Sequence, residues 1–213
     1  MRAKDVRMCI RHGANIVGFV VEYPRPVPWN LSAANAKKLL AAVRGPAETC
    51  VVTGGPLDHV LRIAMETKPN YMQLHYGESL EDTARLASEL GKQGIKIIKA
   101  IFPDTPDLEK AGTDFCAAGV YALLFDPRTP DKAEHGGTAN LAAYIKFRCA
   151  IGCPVILAGG ITPENVAGIV RETQAQMIDV MTSVENSPGI KDEMKVIALF
   201  QVLQSLKQSK ENR

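Results

Sequence analysis

Short apolar runs alternate with helical stretches seven times along the 213 residues of this chain. In chain order the runs read NIVGFVV, TCVVTG, YMQLH, IKIIKAIF, VYALLFD, PVILAGG and MIDVMTS. They are apolar on both faces, which is typical of parallel strands covered by helices. The helices between them carry start signals, such as Ser32 and the capping box Ser79-x-x-Asp82. This repetition predicts an α/β fold of the (β/α)8 TIM-barrel type. The alternative is a doubly wound open sheet. The G-x-G-x-x-G motif does not follow the first strand here, which argues against that alternative.

A helix precedes the first apolar run. Val6, Cys9 and Ile10 have the i, i+3, i+4 spacing of a buried helix face, and Gly13 is a suitable C-terminal cap. A closed barrel has eight strands, each followed by a helix. Seven strands behind a leading helix therefore correspond to a single TIM-barrel domain over 1–213 with strand 1 missing from this chain. Its open edges would favour self-association as a swapped or intertwined homodimer.

Charge and composition narrow the function classes. The formal net charge is +2, with 25 basic and 23 acidic residues intermixed, which predicts no nucleic-acid partner. The first residues of the sequence contain no apolar core of signal-peptide length, and no apolar run approaches membrane-spanning length, which predicts no membrane partner. The cysteines are scattered without a C-x-x-C pair, so we expect no disulfide framework, no metal site and a reducing, cytoplasmic location. These cysteines are Cys9, Cys50, Cys116, Cys149 and Cys153.

The last two apolar runs end in residues suited to bind phosphate. Gly159 and Gly160 let backbone N–H groups approach an anion, and Thr162-Pro163 is predicted to start the next helix. After the final run come Asp179, Thr182 and Ser183. In TIM barrels the loops after strands seven and eight often hold a phosphate. The sequence therefore predicts phosphate binding here, with a simple tight turn as the alternative.

Asp126 ends an apolar run, where a charge is costly unless it faces an opening. A carboxylate in this place can serve as a general acid if the closed site raises its pKa. A loop-anchoring role is the alternative. The long segment after it contains Gly136, Gly137 and Thr138, which predicts a lid whose glycines contact the phosphate.

Two further side chains are candidates for substrate binding. His75 ends the run YMQLH and is predicted to face either the barrel mouth or the interior. Arg25 follows the first run in the loop EYPRPVPWN, where it would hold a carboxylate or lie in solvent. Lys99 lies within a strand run and is expected to pair with a carboxylate or line the mouth.

Several motifs together resemble the phosphoribosylanthranilate isomerase family of tryptophan biosynthesis. They are GANIVGFVV, QLHYGES, IKAIF, LLFDPRTP, GGT, LAGGITPENV and DVMTSVENSPGIKD, in the family's order over nearly the whole chain. The resemblance implies an Amadori rearrangement of N-(5'-phosphoribosyl)anthranilate, a phosphorylated amino sugar, without a cofactor. It implies that Asp126 is the acid. The family's base is a Cys in a Lys-x-Cys-Gly strand that is absent from this sequence, and Cys9 lies on a helix instead.

The sequence departs from the family pattern in three loops. The Arg-bearing loop reads PRPVPWNLS, Gly-Gly-Thr-Gly becomes Gly136 to Ala139, and Ser-Ser-Gly becomes Met181 to Ser183. A non-catalytic descendant that binds a sugar phosphate or a partner is therefore an alternative function. A further one is another phosphate-binding barrel enzyme, such as the tryptophan synthase α subunit or a ribulose-phosphate epimerase.

Overall fold

The seven apolar runs form seven parallel strands that follow one another in space as they do in the chain. The structure, a computed structural model, describes residues 2–128 and 137–211. The strands are β1 (Ile16–Val20), β2 (Glu48–Thr53), β3 (Tyr71–Leu74), β4 (Lys96–Ile101), β5 (Ala122–Phe125), β6 (Val155–Ala158) and β7 (Met177–Asp179). The helices are α1 (Ala3–His12), α2 (Ala33–Leu40), α3 (Leu57–Thr67), α4 (Leu80–Gly91), α5 (Leu108–Ala117), α6 (Leu141–Ala150), α7 (Val166–Thr173) and α8 (Glu193–Glu211).

Burial of the strands on both faces explains their continuous apolar sequence. Every residue of β3, β5 and β6 is buried. One face contributes to the large core between sheet and helices, which includes Phe125 and Leu157. The other contributes to a smaller inner core, which includes Ile98 and Leu124. These two layers are the ones a curled parallel sheet requires.

β1 and β7 are the outer strands of this sheet among the described residues. Asn15 O accepts from Glu48 N at 2.8 Å, and Val21 N donates to Val52 O at 2.9 Å. Because backbone groups alternate in direction along a strand, those of Ile16 and Gly18 point away from β2. A cavity of about 720 Å³, here called the large cavity, lies beside this edge. It reaches from β1 to β7 and is lined in part by side chains of α1 and α8.

Several local predictions hold at the residue level. Gly13 ends α1 with φ 118°, and the Ser32 and Ser79 hydroxyls accept N-cap hydrogen bonds from Asn35 N and Asp82 N. At the other end of the chain the prediction was incomplete. After a short 3₁₀ turn at Thr182–Val184, the expected loop contains a small antiparallel hairpin, β8 (Glu185–Ser187) with β9 (Ile190–Lys191).

The cysteine prediction needs a correction. Cys116 on α5 and Cys153, just before β6, form a disulfide across 37 positions of sequence. Cys9, Cys50 and Cys149 are free. Sequence spacing does not show this pair, because it forms only where the barrel places α5 beside the start of β6. No helix in the described ranges is long and apolar enough to cross a membrane.

Candidate functional site

Asp126 directly follows β5 and is completely buried at the rim where the parallel strands end. Its carboxylate accepts from Arg128 Nε at 2.9 Å and from Arg128 Nη2 at 2.7 Å. The Arg128 backbone N–H donates to it as well, at 2.9 Å. His75, which follows β3, brings its Nε2 within 3.3 Å of Asp126 Oδ2. The barrel thus joins two predicted site residues that lie 51 positions apart.

The electrostatics of Asp126 differ from the sequence expectation. Burial by itself would raise the pKa of Asp126, but hydrogen bonds from His75 and Arg128 lower it below its ordinary value. The raised pKa that a general acid requires is therefore absent in this state of the site. The physical reason is the hydrogen bond from His75 together with the forked Arg128 contact, which stabilise the ionised carboxylate.

His75 is held by aromatic neighbours. The Tyr23 hydroxyl donates to the His75 backbone carbonyl at 2.8 Å, and its ring meets the imidazole edge-on. Phe102 contacts the other side of the ring, with centroids 5.6 Å apart. The residue is buried, yet it forms part of the wall of the large cavity. Both sequence alternatives, an interior histidine and one facing the mouth, thus describe part of its position.

The predicted phosphate residues meet around a second cavity of about 160 Å³, here called the small cavity. Its wall contains Arg128, Gly137, Thr138, Gly159, Gly160, Ile161, Asp179, Val180, Met181, Thr182 and Ser183. Gly136, predicted with Gly137, lies outside the described residues. The two consecutive glycines of the turn after β6 are required by close packing: a Cβ on Gly159 would lie 2.3 Å from Pro127 Cγ. Both glycines also have positive φ, 93° and 68°.

Two of the expected anion donors are already engaged. The Ser183 hydroxyl donates to Ile161 O, which leaves its backbone N–H as the group able to donate to an anion. Thr162 N donates to Asn165 Oδ1 at 2.8 Å, and α7 begins at Val166 rather than at Thr162. The predicted helix start was therefore placed too early, because the Asn165 side chain closes a turn before the helix.

Asp179, at the end of β7, belongs to the walls of both cavities. Burial raises the pKa of Asp179 above its ordinary value, and the positive charge of Arg128 offsets part of this effect. The two carboxyl groups of the site thus differ in pKa: that of Asp126 lies below its ordinary value, and that of Asp179 lies above it.

Sequence reasoning missed Arg128 and the partner of Lys99. Lys99 Nζ donates to Glu78 Oε2 at 2.8 Å and to Tyr76 O at 2.9 Å, inside the protein. Glu78 Oε1 accepts from Gly55 N at 3.1 Å. This buried pair braces the segment that follows His75 and confirms the expectation that Lys99 pairs with a carboxylate. The signal for Arg128 was its place two residues after Asp126, where its backbone and side chain reach the same carboxylate.

The remaining candidates lie away from these contacts. Arg25 is exposed in the loop after β1, close enough for its charge to act on the phenol of Tyr23. It is not among the residues of either cavity wall. Cys9 lines the large cavity from α1, and burial raises the pKa of its thiol. Because the raised pKa leaves little thiolate at neutral pH, Cys9 is poorly suited to act as a base.

Seven parallel strands in a curled sheet, with a carboxylate and a glycine-rich cavity where the strands end, define a (β/α)-barrel enzyme. The family model described as N-(5'phosphoribosyl)anthranilate (PRA) isomerase matches residues 1–202. The chain belongs to this family, and the resemblance predicted from its motifs is confirmed.

Relatives of known name support the assignment. An N-(5'-phosphoribosyl)anthranilate isomerase of Cereibacter sphaeroides is 34% identical over 204 residues, which cover 92% of each chain. The enzyme of the same name from Haloferax volcanii is 33% identical over 190 residues, 87% of this chain and 81% of that protein.

Solved structures share the fold. The phosphoribosyl anthranilate isomerase of Thermus thermophilus superposes with a TM-score of 0.80 at 28% identity, over 97% of this chain and 96% of that one. One in complex with reduced 1-(o-carboxyphenylamino)-1-deoxyribulose 5-phosphate has a TM-score of 0.79 at 21% identity, over 96% and 94%. A Thermotoga maritima structure, of monomers made from a dimeric isomerase, has a TM-score of 0.77 at 22% identity, over 96% and 94%. The predicted TIM-barrel fold is confirmed.

Proposed function

We propose that the chain catalyses the reaction of its family, the rearrangement of N-(5'-phosphoribosyl)anthranilate to 1-(2-carboxyphenylamino)-1-deoxyribulose 5-phosphate. The family match over residues 1–202 makes it an isomerase of tryptophan biosynthesis, as the sequence predicted. The observation that carries the proposal for this chain's own residues is the buried Asp126, whose partner Arg128 lies in the wall of the small cavity. A carboxyl group and an anion-sized cavity are what an acid-catalysed reaction of a sugar phosphate requires.

In this proposal Asp126 is the general acid. Its proton goes to the furanose ring oxygen, the ring opens to a Schiff base, and a base then removes the proton from C2. The resulting enolamine becomes the ketone, so the product is an isomer of the substrate and no cofactor is consumed. The family's base belongs to the strand that would lie between β1 and β7. We assign no base among the residues of this sequence.

The small cavity is the proposed phosphate subsite. Gly137, Gly159, Gly160, Thr182 and Ser183 would bind the phosphate through backbone N–H groups and the Thr182 hydroxyl. Gly136 stays a prediction of the sequence. Asp179 carries the same sign of charge as phosphate, so we propose that it contributes through its backbone or in its protonated form.

The proposed anthranilate end of the site lies toward the loop after β1. His75 faces the large cavity and would contact the substrate while it holds Asp126. Arg25 is the proposed partner of the anthranilate carboxylate, a role that requires its exposed loop to turn over the barrel mouth.

We also propose that the chain forms a homodimer and works in the cytoplasm. Among the described strands β1 pairs with β2 alone, and the backbone groups at its other edge favour association with a second copy. Light scattering that gives the mass of a single chain would contradict the dimer. The cytoplasmic location rests on the biosynthetic family, since the disulfide removes the argument from cysteine spacing. Recovery of the chain outside the cytoplasm on cell fractionation would contradict it.

A turnover assay tests the reaction. Loss of the fluorescence of phosphoribosylanthranilate should depend on the protein, and Asp126→Asn should slow it by about 10²–10⁴-fold. The matched control is Asp58→Asn, an exposed carboxylate on α3 outside both cavities, which should leave the rate unchanged. Turnover that survives in Asp126→Asn would refute the assignment of the acid. Binding of the substrate without turnover would favour the alternative, a non-catalytic member of the family.

A further inference from the structure

Arg128 connects the proposed acid to the proposed phosphate subsite. Its side chain is largely buried and grips both oxygens of Asp126, at 2.9 Å from Nε and 2.7 Å from Nη2. The same residue lies in the wall of the small cavity with Gly159, Gly160 and Thr182. Among the described residues of that wall, Arg128 alone has a cationic side chain.

The contact with Asp126 and the place in the wall of the small cavity imply competing roles for the Arg128 side chain. A guanidinium group has five N–H donors, and the fork on Asp126 uses two of them. A phosphate bound through the same kind of fork would compete with Asp126 for these donors. As long as the fork on Asp126 holds, it acts with His75 to favour the ionised carboxylate, which has no proton to donate.

We propose that Arg128 is a phosphate-responsive latch: a phosphate monoester in the small cavity draws its guanidinium away from Asp126 and thereby frees the carboxyl group to take up a proton. Phosphate and carboxylate bind the guanidinium fork through the same paired geometry, and phosphate carries the larger charge. The exchange therefore replaces one forked contact with another and leaves no buried cation unpaired. A substrate without the phosphate would leave the latch closed, so Arg128 also selects for phosphorylated substrates.

The surroundings of Asp126 determine what the release does. Besides each other, the titratable groups that affect the pKa values of Asp126 and Arg128 are His75, Tyr23 and Asp179. Lys191 in turn affects the pKa of Asp179. After release, the carboxylate keeps its contacts with His75 Nε2 and with the Arg128 backbone N–H. Burial, which favours the neutral carboxyl form, then faces a smaller opposing charge, so Asp126 holds a proton at higher pH.

Inorganic phosphate is the probe for this latch, because it tests the exchange without turnover. We expect phosphate to raise the pKa of Asp126, followed through its ¹³C-labelled carboxyl group by NMR across pH. In Arg128→Gln the Asp126 signal should no longer respond to phosphate, and phosphate affinity should fall by about tenfold or more. The matched control is Arg171→Gln, an exposed arginine on α7 outside both cavities, which should behave as the wild type.

Arg128→Lys keeps the charge without the fork and covers the case in which Arg128→Gln fails to fold. It should retain much of the phosphate affinity while the Asp126 pKa before phosphate addition is higher than in the wild type. An Asp126 titration that is the same with and without phosphate in the wild type would overturn the latch, as would unchanged phosphate affinity in Arg128→Gln. The latch rests on the proposed function only for its acid step. If phosphate shifts the Asp126 titration but the protein shows no isomerase turnover, the proposed function is refuted and the latch stands. If the protein turns over substrate but phosphate does not shift the titration, the latch is refuted and the proposed function stands.

Discussion

The Cys116–Cys153 disulfide should make a measurable contribution to stability. It links two positions 37 residues apart, and the enclosed segment contains β5, Asp126 and α6. The loop-entropy relation for a cross-link of this size corresponds to about 4 kcal/mol at 25 °C, through restriction of the unfolded chain. For a protein of this length each kcal/mol moves the midpoint of thermal unfolding by about 2–4 °C. Reduction of the bond should therefore lower the midpoint by roughly 8–16 °C.

Circular dichroism melts with and without dithiothreitol measure this effect. Cys153→Ala should melt like the reduced wild type and should lose its response to the reductant. Cys149→Ala, which removes an exposed free thiol close by in the chain, should keep both the wild-type midpoint and the response. Thiol titration of the unfolded, unreduced protein should find three free cysteines. Five free thiols, or equal midpoints with and without reductant, would refute the reasoning.

Two further predictions concern buried charges. Lys99→Met should lower the free energy of unfolding by about 3–5 kcal/mol, because Glu78 loses its partner inside the protein. Urea melts measure this, and the exposed control Lys92→Met should match the wild type. An equal loss in both variants would contradict the prediction. The pKa of Asp179 is higher in the folded state than in the unfolded chain. Its carboxyl group therefore lowers the free energy of unfolding as the pH rises from about 3.9, the ordinary pKa of Asp, through the pKa of the folded state. Asp179→Asn should therefore raise the urea midpoint at about pH 7 and leave it unchanged at about pH 3; no gain at the higher pH would show that the carboxyl group is not destabilising.

The local signals in the sequence were reliable where they depend on short-range chemistry. The capping residues Ser32 and Ser79 start their helices, and Gly13 ends α1 in the left-handed conformation. Strand positions were predictable as well, because burial on both faces requires an uninterrupted apolar run. The start of α7 was missed, since Asn165 and Thr162 compete with the helix for its first hydrogen bonds.

The sequence predicted that several candidate residues lie close together, and it did not predict their electrostatics. Asp126, His75 and the glycines of the small cavity were identified because residues at the carboxyl ends of parallel strands meet at one rim. Arg128 follows Asp126 by two positions, but this spacing alone does not show that its guanidinium forms a fork on the Asp126 carboxylate. The sign of the resulting pKa change depends on distances of a few ångströms between groups brought together by the fold.

The sequence by itself determined the repeating strand–helix order, the family and the residues that reach the rim of the barrel. These follow from periodicity, from turn chemistry and from motifs, all of which are encoded within a few neighbouring positions. Only the tertiary structure decided which side chains form hydrogen bonds, ion pairs or the disulfide with one another. The pairs Cys116–Cys153, Glu78–Lys99 and His75–Asp126 join residues from 21 to 51 positions apart. Such contacts depend on how the curled sheet places its strands, which is a property of the whole fold.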